Sequence, residues 1–205
     1  MLVIGRLLLA AALVAVLNGC AMSGLVAEPI GAAQKAEAAF QQRLIKLRQA
    51  TAFDLQGRIA VKGGALSGSL RWSQWPDRFS LRVAGPFGAG ALLMDGRGGL
   101  VHIKNKDVDI TTADPETLLA QHTGWRLPLN SLRYWVLGIP APDAPAELEV
   151  DALGRALSLR QSGWTLHYSE YLPELPGTPG RVEATREDWT AVALVQTLSL
   201  APAPP

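Results

Sequence analysis

Hydrophobic residues recur along this chain with three different spacings, taken up one after another. The first is an unbroken apolar run from Leu7 to Leu17, preceded only by the charge of Arg6 and followed by Asn18, Gly19 and Cys20. A run of this length falls short of the roughly 20 residues a helix needs to cross a bilayer. It therefore reads as the core of a signal peptide over residues 1–19 and not as a transmembrane helix. Residues 20–31 are small, with Pro29 among them, and suit a flexible linker. The second spacing is helical. Ala36, Phe40, Leu44 and Leu47 fall on one face, while Lys35, Glu37, Gln41, Arg43, Lys46 and Arg48 take the other positions, which predicts an amphipathic helix over about 32–51.

From Phe53 onward the period is two. Phe53, Leu55, Gly57, Ile59 and Val61 alternate with Asp54, Gln56, Arg58, Ala60 and Lys62, the pattern of a half-buried strand. Gly63-Gly64 is a turn. Alternation resumes over 66–75, stops at Pro76-Asp77, and continues through Phe79, Leu81 and Val83 as far as Gly85-Pro86. Further strands are predicted at about 91–94, 100–104 and 107–111. The rhythm breaks at Asp114-Pro115, a helix start that carries a helix to about His122, and a second helix covers 131–137. After a Pro-rich passage, alternation returns at 148–150, 157–161 and 164–171, with late runs near 182–185 and 192–200. Many short strands with a few inserted helices predict a mainly β fold, an unclosed antiparallel barrel with helices over its open side. The space between sheet and helices is a natural apolar cavity.

Composition narrows the classes of function. A net charge of +1 with no basic run argues against nucleic acid as a partner. Residues 32–205 fit one domain with a sizeable core. Cys20 is the only cysteine, so no internal disulfide forms. Leu17-Asn18-Gly19-Cys20 resembles a lipobox, in which a diacylglyceryl group joins the cysteine sulfur and cleavage follows just before it. That gives the lone cysteine a use: several acyl chains, at about 0.8 kcal/mol per buried methylene, anchor a protein far better than one.

Catalytic chemistry is thin. His102, His122 and His167 are scattered, no His-Glu-x-x-His helix is present, and no second cysteine helps to build a metal site. No Gly-x-Ser-x-Gly elbow occurs, and Ser67 and Ser69 lie in a predicted strand. Gly85-Pro86-Phe87-Gly88-Ala89-Gly90 lacks the lysine and the βαβ context of a phosphate cradle and reads as a hairpin loop. Within it, two readings of Phe87 stand side by side on physical grounds: a side chain folded back onto the core, or an exposed apolar prong for a bilayer or lipid. The six tryptophans divide between core and cavity wall. Arg58, Arg71, Arg82 and Lys62 lie on the early strands, where a solvated polar face is the favoured reading and a contact to a headgroup or ligand the alternative.

Five segments taken in order carry a resemblance: Leu55-Gln56-Gly57-Arg58-Ile59-Ala60-Val61; Leu70-Arg71-Trp72-Ser73-Gln74; Gly85-Pro86-Phe87-Gly88; the stretch from Gly124-Trp125-Arg126-Leu127 through Leu132-Arg133-Tyr134-Trp135 to Pro140; and Gln161-Ser162-Gly163-Trp164-Thr165-Leu166-His167-Tyr168. With the lipobox cysteine, they resemble the LolB family of outer-membrane lipoproteins. Members accept other lipoproteins from the periplasmic carrier LolA and insert them into the outer membrane. The resemblance implies a half-barrel with a helical lid over a hydrophobic cavity for acyl chains, working as a monomer without enzymatic activity or cofactor. It implies a covalent diacylglyceryl and N-acyl lipid on Cys20, with Ala21 in place of the aspartate that retains lipoproteins at the inner membrane. It makes Gly85, Pro86, Phe87 and Gly88 the membrane-insertion loop, with Phe87 where the family usually has leucine. Trp72, Trp125, Leu127, Leu132, Trp135 and Trp164 are the residues expected at the cavity or lid. The implied partners are a LolA-like carrier, cargo acyl chains and the inner leaflet of the outer membrane. The likeness thins after Pro173: the family tends to finish with a late tryptophan, whereas Trp189 here precedes the last apolar run. The rival readings are a LolA-like soluble carrier, a structural or assembly lipoprotein with a filled core, and a hydrolase of lipids or peptidoglycan.

Overall fold

The computed structural model of the chain describes residues 30–62, 66–86, 90–123 and 127–201. Residues Gly31–Pro205 cluster as one compact unit. Cys20, Phe87, Gly88 and Trp125 lie outside the described residues, as do the signal peptide and nearly all of the linker.

Helix α1 covers Ile30–Gln49 and buries Ala36, Phe40, Leu44 and Leu47, the stripe its periodicity predicts. Lys46 and Arg48 in its last turn complement the negative end of the helix dipole. Each of the three large apolar side chains contributes about 1.5–3 kcal/mol by leaving water.

Among the described residues eleven strands follow: β1 (Ala52–Val61), β2 (Ser67–Gln74), β3 (Arg78–Ala84), β4 (Leu92–Arg97), β5 (Leu100–Lys104), β6 (Asp109–Thr112), β7 (Ala146–Val150), β8 (Ala156–Gln161), β9 (Trp164–Ser169), β10 (Arg181–Arg186) and β11 (Trp189–Ala201). They form one sheet in the order β6-β5-β4-β3-β2-β1-β11-β10-β9-β8-β7, with every neighbouring pair antiparallel. The outer strands β6 and β7 do not pair, so the barrel is unclosed. Between them in the chain come α2 (Pro115–Thr123) and α3 (Leu129–Trp135). A segment that leaves one edge of a curved sheet and re-enters at the other has to cross the open side, so the topology itself delivers a helical lid.

Local chemistry sets the boundaries. The Asp114 carboxylate accepts the Thr117 amide at 3.1 Å, and with Pro115 in the first helical position it starts α2 where the sequence predicts. Helix α3 begins two residues before the expected Ser131. No side chain of Pro128 caps it; its first turn closes on the backbone, Ser131 N–H donating to the Pro128 carbonyl at 2.8 Å. It ends at Trp135, two residues short of the expected Leu137, and the turn that follows closes at Gly138, whose φ of +74° is a conformation that favours glycine. Strand β6 starts later than predicted because Asn105 Oδ1 accepts the amides of Asp107 and Val108, each at 2.7 Å, holding them in a turn. Strand β9 ends at Ser169, before the expected Tyr171, where Glu170 takes a φ of +53° and turns the chain out of the ladder.

The register between β1 and β11 shifts at Gln56/Gly57. A Cβ on Gly57 would stand 2.1 Å from the Leu194 carbonyl oxygen, so only glycine fits this bulge. On the concave face, side chains from β1 and β2 and from β11 meet α1 and the segment after α3: Phe40, Leu44 and Leu47 pack with Phe53, Leu55, Leu198, Val136, Leu137 and Ile139. Smaller clusters gather Trp135 with Leu159, Trp164 and Leu166, and Met94 with Val101, Ile103 and Leu119.

Candidate functional site: an apolar cavity under two helices

Helix α1 covers only one end of the concave face. Toward the other end, where β1 runs out at Val61 and β11 begins, the inward side chains meet α2 and α3 across an open space of about 490 Å³, within the range of small-ligand sites. The floor comes from inward positions of consecutive strands: Ile59 and Val61 on β1, Leu70 and Trp72 on β2, Leu81 and Val83 on β3, Leu92 and Met94 on β4. The far wall is Trp164 and Leu166 on β9, Val182, Ala184 and Arg186 on β10, and Trp189, Ala191 and Ala193 on β11. The roof is Leu119 of α2 with Leu127, Leu129, Leu132, Trp135 and Val136 in and beside α3.

Of the residues expected at the cavity or lid, Trp72, Leu127, Leu132, Trp135 and Trp164 are all brought to this one space. Gly85 and Pro86 follow directly on β3 in the connection to β4, with Gly85 half-buried and Pro86 exposed, so the glycine-rich segment joins two antiparallel strands as a hairpin loop does. The inward positions of β3, β4, β10 and β11 were not singled out from sequence, although the alternation already assigns most of them a face. Arg186 and Glu187 carried no sequence signal at all.

Two features hold the roof. Gln161 is buried and satisfied on both ends of its amide: Oε1 accepts the Trp135 indole N–H at 2.8 Å and the Ala141 amide at 2.9 Å, while Nε2 donates to the Ala141 and Ala144 carbonyls, each at 2.8 Å. Helix α3 is thereby fixed to β8. Helix α2 is tied to α3 through Glu116, whose carboxylate accepts the Leu129 amide at 2.9 Å, and it places Leu119, buried, against the sheet.

Polar chemistry around the cavity is sparse. Trp135 and Trp164 lie ring to ring at 6.3 Å, and Trp72 meets Phe53 edge to face at 5.2 Å. Among the described residues, the indole N–H groups of Trp72 and Trp164 are buried without a hydrogen-bond partner. So is the Tyr168 hydroxyl, whose pKa burial pushes well above the usual phenol range. Arg186 and Glu187 stand at the β10–β11 turn with their charges 4.0 Å apart. His167 is exposed on β9, and His102 is paired with the exposed Asp109 at 2.7 Å. Among the described residues no group of three or more His, Cys, Asp or Glu is placed to hold a metal. No helix among them is long and apolar enough to cross a membrane.

Fold and site together define a class: a half-barrel that shelters an apolar cavity beneath helices, with one salt-bridged ion pair at its rim. Comparison with known proteins narrows this further. The family model described as outer membrane lipoprotein LolB matches residues 51–198, which takes in β10 and most of β11, where the resemblance read from sequence had thinned. The outer-membrane lipoprotein LolB of Chromohalobacter salexigens is 34% identical over 168 residues, 81% of this chain and 77% of its own length. That of Pseudomonas paraeruginosa is 36% identical over 169 residues, 81% and 82% of the two chains. That of Pseudomonas aeruginosa is 34% identical over 197 residues, 90% and 95%. Among solved structures, the LolA superfamily protein NE2245 from Nitrosomonas europaea superposes with a TM-score of 0.46 at 12% identity, covering 80% of this chain and 94% of its own. The chain belongs to the LolB family of outer-membrane lipoproteins.

Proposed function

We propose that this chain accepts the acyl chains of lipoproteins from a LolA-like periplasmic carrier into the cavity under α2 and α3, and passes them to the inner leaflet of the outer membrane. The observation that carries the reading is the cavity itself: about 490 Å³ walled by aliphatic and indole side chains, in a protein whose other concave end is covered by α1. A filled assembly lipoprotein has no use for such a space. Binding free energy comes from apolar area removed from water, at roughly 25 cal/mol per Å². Cargo moves forward when the cavity holds acyl chains more strongly than the carrier does and the bilayer holds them more strongly still. No bond is made or broken, so the protein is not an enzyme and needs no cofactor.

In this reading residues 1–19 are removed, Cys20 carries the diacylglyceryl and N-acyl anchor, residues 20–31 are the tether, and residues 32–205 act as one monomeric binding domain. Trp72, Leu127, Leu132, Trp135 and Trp164 contact the cargo chain, and Trp125 is assigned to the same role. Gly85, Pro86, Phe87 and Gly88 form the loop that engages the bilayer, with Phe87 at its tip.

The test is transfer of labelled lipoprotein from a carrier complex to outer-membrane vesicles, with this protein present or absent. The label is expected to pass to this protein and then to the vesicles. Label that stays on the carrier sinks the reading. Phe87→Glu separates the two steps: acceptance survives and insertion is lost, whereas insertion at the parent rate removes Phe87 from the role.

A further inference from the structure

The outward face of the sheet is charged in two different ways. On the β7–β10 half the cations have anionic neighbours: Arg160 pairs with Glu147 at 3.4 Å and Arg181 with Glu183 at 3.1 Å. On the β1–β3 half, Arg58, Arg71 and Arg82 are exposed and make no ion pair or hydrogen bond among the described residues. The strand register crowds them together. Arg71 stands directly opposite Arg82, and Arg58 is two residues along β1 from Gln56, the partner of Arg71. Like charges directly opposed across a ladder are destabilising. Among the described residues neither acid on this face pairs with the cluster: Asp54 accepts the Ser73 hydroxyl at 2.5 Å, and Asp95 sits on β4 opposite Ser80.

Two further facts give the cluster a direction. Its apolar neighbours, Leu93 opposite Arg82 and Leu194 opposite Arg58, are half-buried where a purely solvated face would carry polar groups. Ala84, two residues beyond Arg82, ends β3 and leads straight into Gly85 and Pro86, so the patch adjoins the β3–β4 loop. A broad sheet face of unpaired guanidinium groups interleaved with leucine suits a layer of phosphate-bearing headgroups over an apolar interior.

We propose that Arg58, Arg71 and Arg82 form a docking surface for anionic phospholipid headgroups, which lays the outer face of β1–β3 against the bilayer beside the β3–β4 loop. This deepens the membrane role proposed above and rests on it. An acidic protein surface is the competing occupant, and the cluster's continuity with the loop favours the membrane.

The experiment is co-sedimentation of the chain from Ala21 onward, which keeps every described element, with phosphatidylethanolamine vesicles containing or lacking phosphatidylglycerol. The parent is expected to bind the anionic vesicles more tightly and to lose that preference as salt rises. Replacing all three arginines with glutamine should weaken binding about fivefold per arginine, on the order of 100-fold together. Replacement by lysine should retain most of it. A melting temperature that does not fall and unchanged uptake of an apolar fluorophore show that fold and cavity survive. Equal binding of parent and glutamine variant to anionic vesicles overturns the proposal. So does a glutamine variant that sediments normally but no longer takes cargo from the carrier, since that places an acidic protein on the patch. No cargo enters the vesicle assay, so a failure of lipoprotein transfer leaves its result readable on its own.

Discussion

At one end of the concave face α1 lies against the strands, and Phe40, Leu44 and Leu47 interlock with Phe53, Leu55 and Leu198. At the other end the same strands, with the same alternation of inward apolar residues, face about 490 Å³ of open space. Leu55 and Ile59 are both inward residues of β1; Leu55 is 1% exposed and buried in the core, while Ile59 is half-buried and borders the cavity. The difference lies in what stands opposite. Helix α1 brings large side chains directly onto the sheet, whereas the short helices α2 and α3 bridge above it, and the wall beneath them is trimmed by Ala184, Ala191 and Ala193. Packing and emptiness are thus built from one hydrophobic pattern by the placement of three helices.

The contrast can be broken from either end. Phe40→Ala opens a void in the filled end and should cost about 3–5 kcal/mol in urea unfolding, while the folded protein still takes up an apolar fluorophore. Loss of fluorophore uptake under native conditions would mean that the two ends are not independent. Gln161→Leu strips the acceptor from Trp135 and Ala141 and the donor from two carbonyls, leaving buried groups unpaired. A loss of roughly 2–4 kcal/mol follows, with looser uptake because α3 is no longer fixed to β8. A variant as stable as the parent would show that water replaces the amide.

Filling the empty end gives a smaller effect. Ala193→Phe projects a ring into the cavity and should weaken fluorophore binding about tenfold while moving stability by less than about 1.5 kcal/mol. Undiminished binding would place the ligand elsewhere.

The smallest effect is a pH dependence at the filled end. Burial by itself would raise the Asp151 pKa, but the Arg155 amide and guanidinium and the Leu153 amide outweigh it and hold the carboxyl below the usual range. The folded-state pKa lies under the unfolded one, so this contribution is complete above the ordinary aspartate range and fades as pH falls through the folded value. Asp151→Asn should therefore flatten the acid side of the stability profile and leave fluorophore uptake at neutral pH alone. An unaltered acid limb would remove Asp151 from the account.

Much of this was legible in the residues. The alternation locates all eleven described strands, and the 3.6-residue stripe of α1 names its buried face. Boundaries slipped where side chains or backbone conformation decided them: Asn105 shortened β6, Glu170 cut β9 short, and a first turn closed only on the Pro128 carbonyl let α3 start early. The cavity was anticipated as a consequence of the architecture, and five of its residues were named. Its small wall residues and the Arg186–Glu187 pair were not, because emptiness is a property of how elements face each other and has no residue type of its own. In the sequence Gln161 is only the last residue of a predicted strand. Only the return of the chain through Ala141 and Ala144 makes it the clamp of the lid.

The sheet order carries one more consequence, for the way the chain folds. Every ladder but one joins strands adjacent in sequence, so β1–β6 and β7–β11 are two local meanders, each able to form early. The exception is the seam that pairs Ala52 with Ala201 and Val61 with Ala191. Contacts this distant in the chain carry a loop-closure entropy that local ones escape, and they slow folding accordingly. The first meander has its last strand partner only when β11 arrives, and until then the edge of β1 stays open to pairing with another chain.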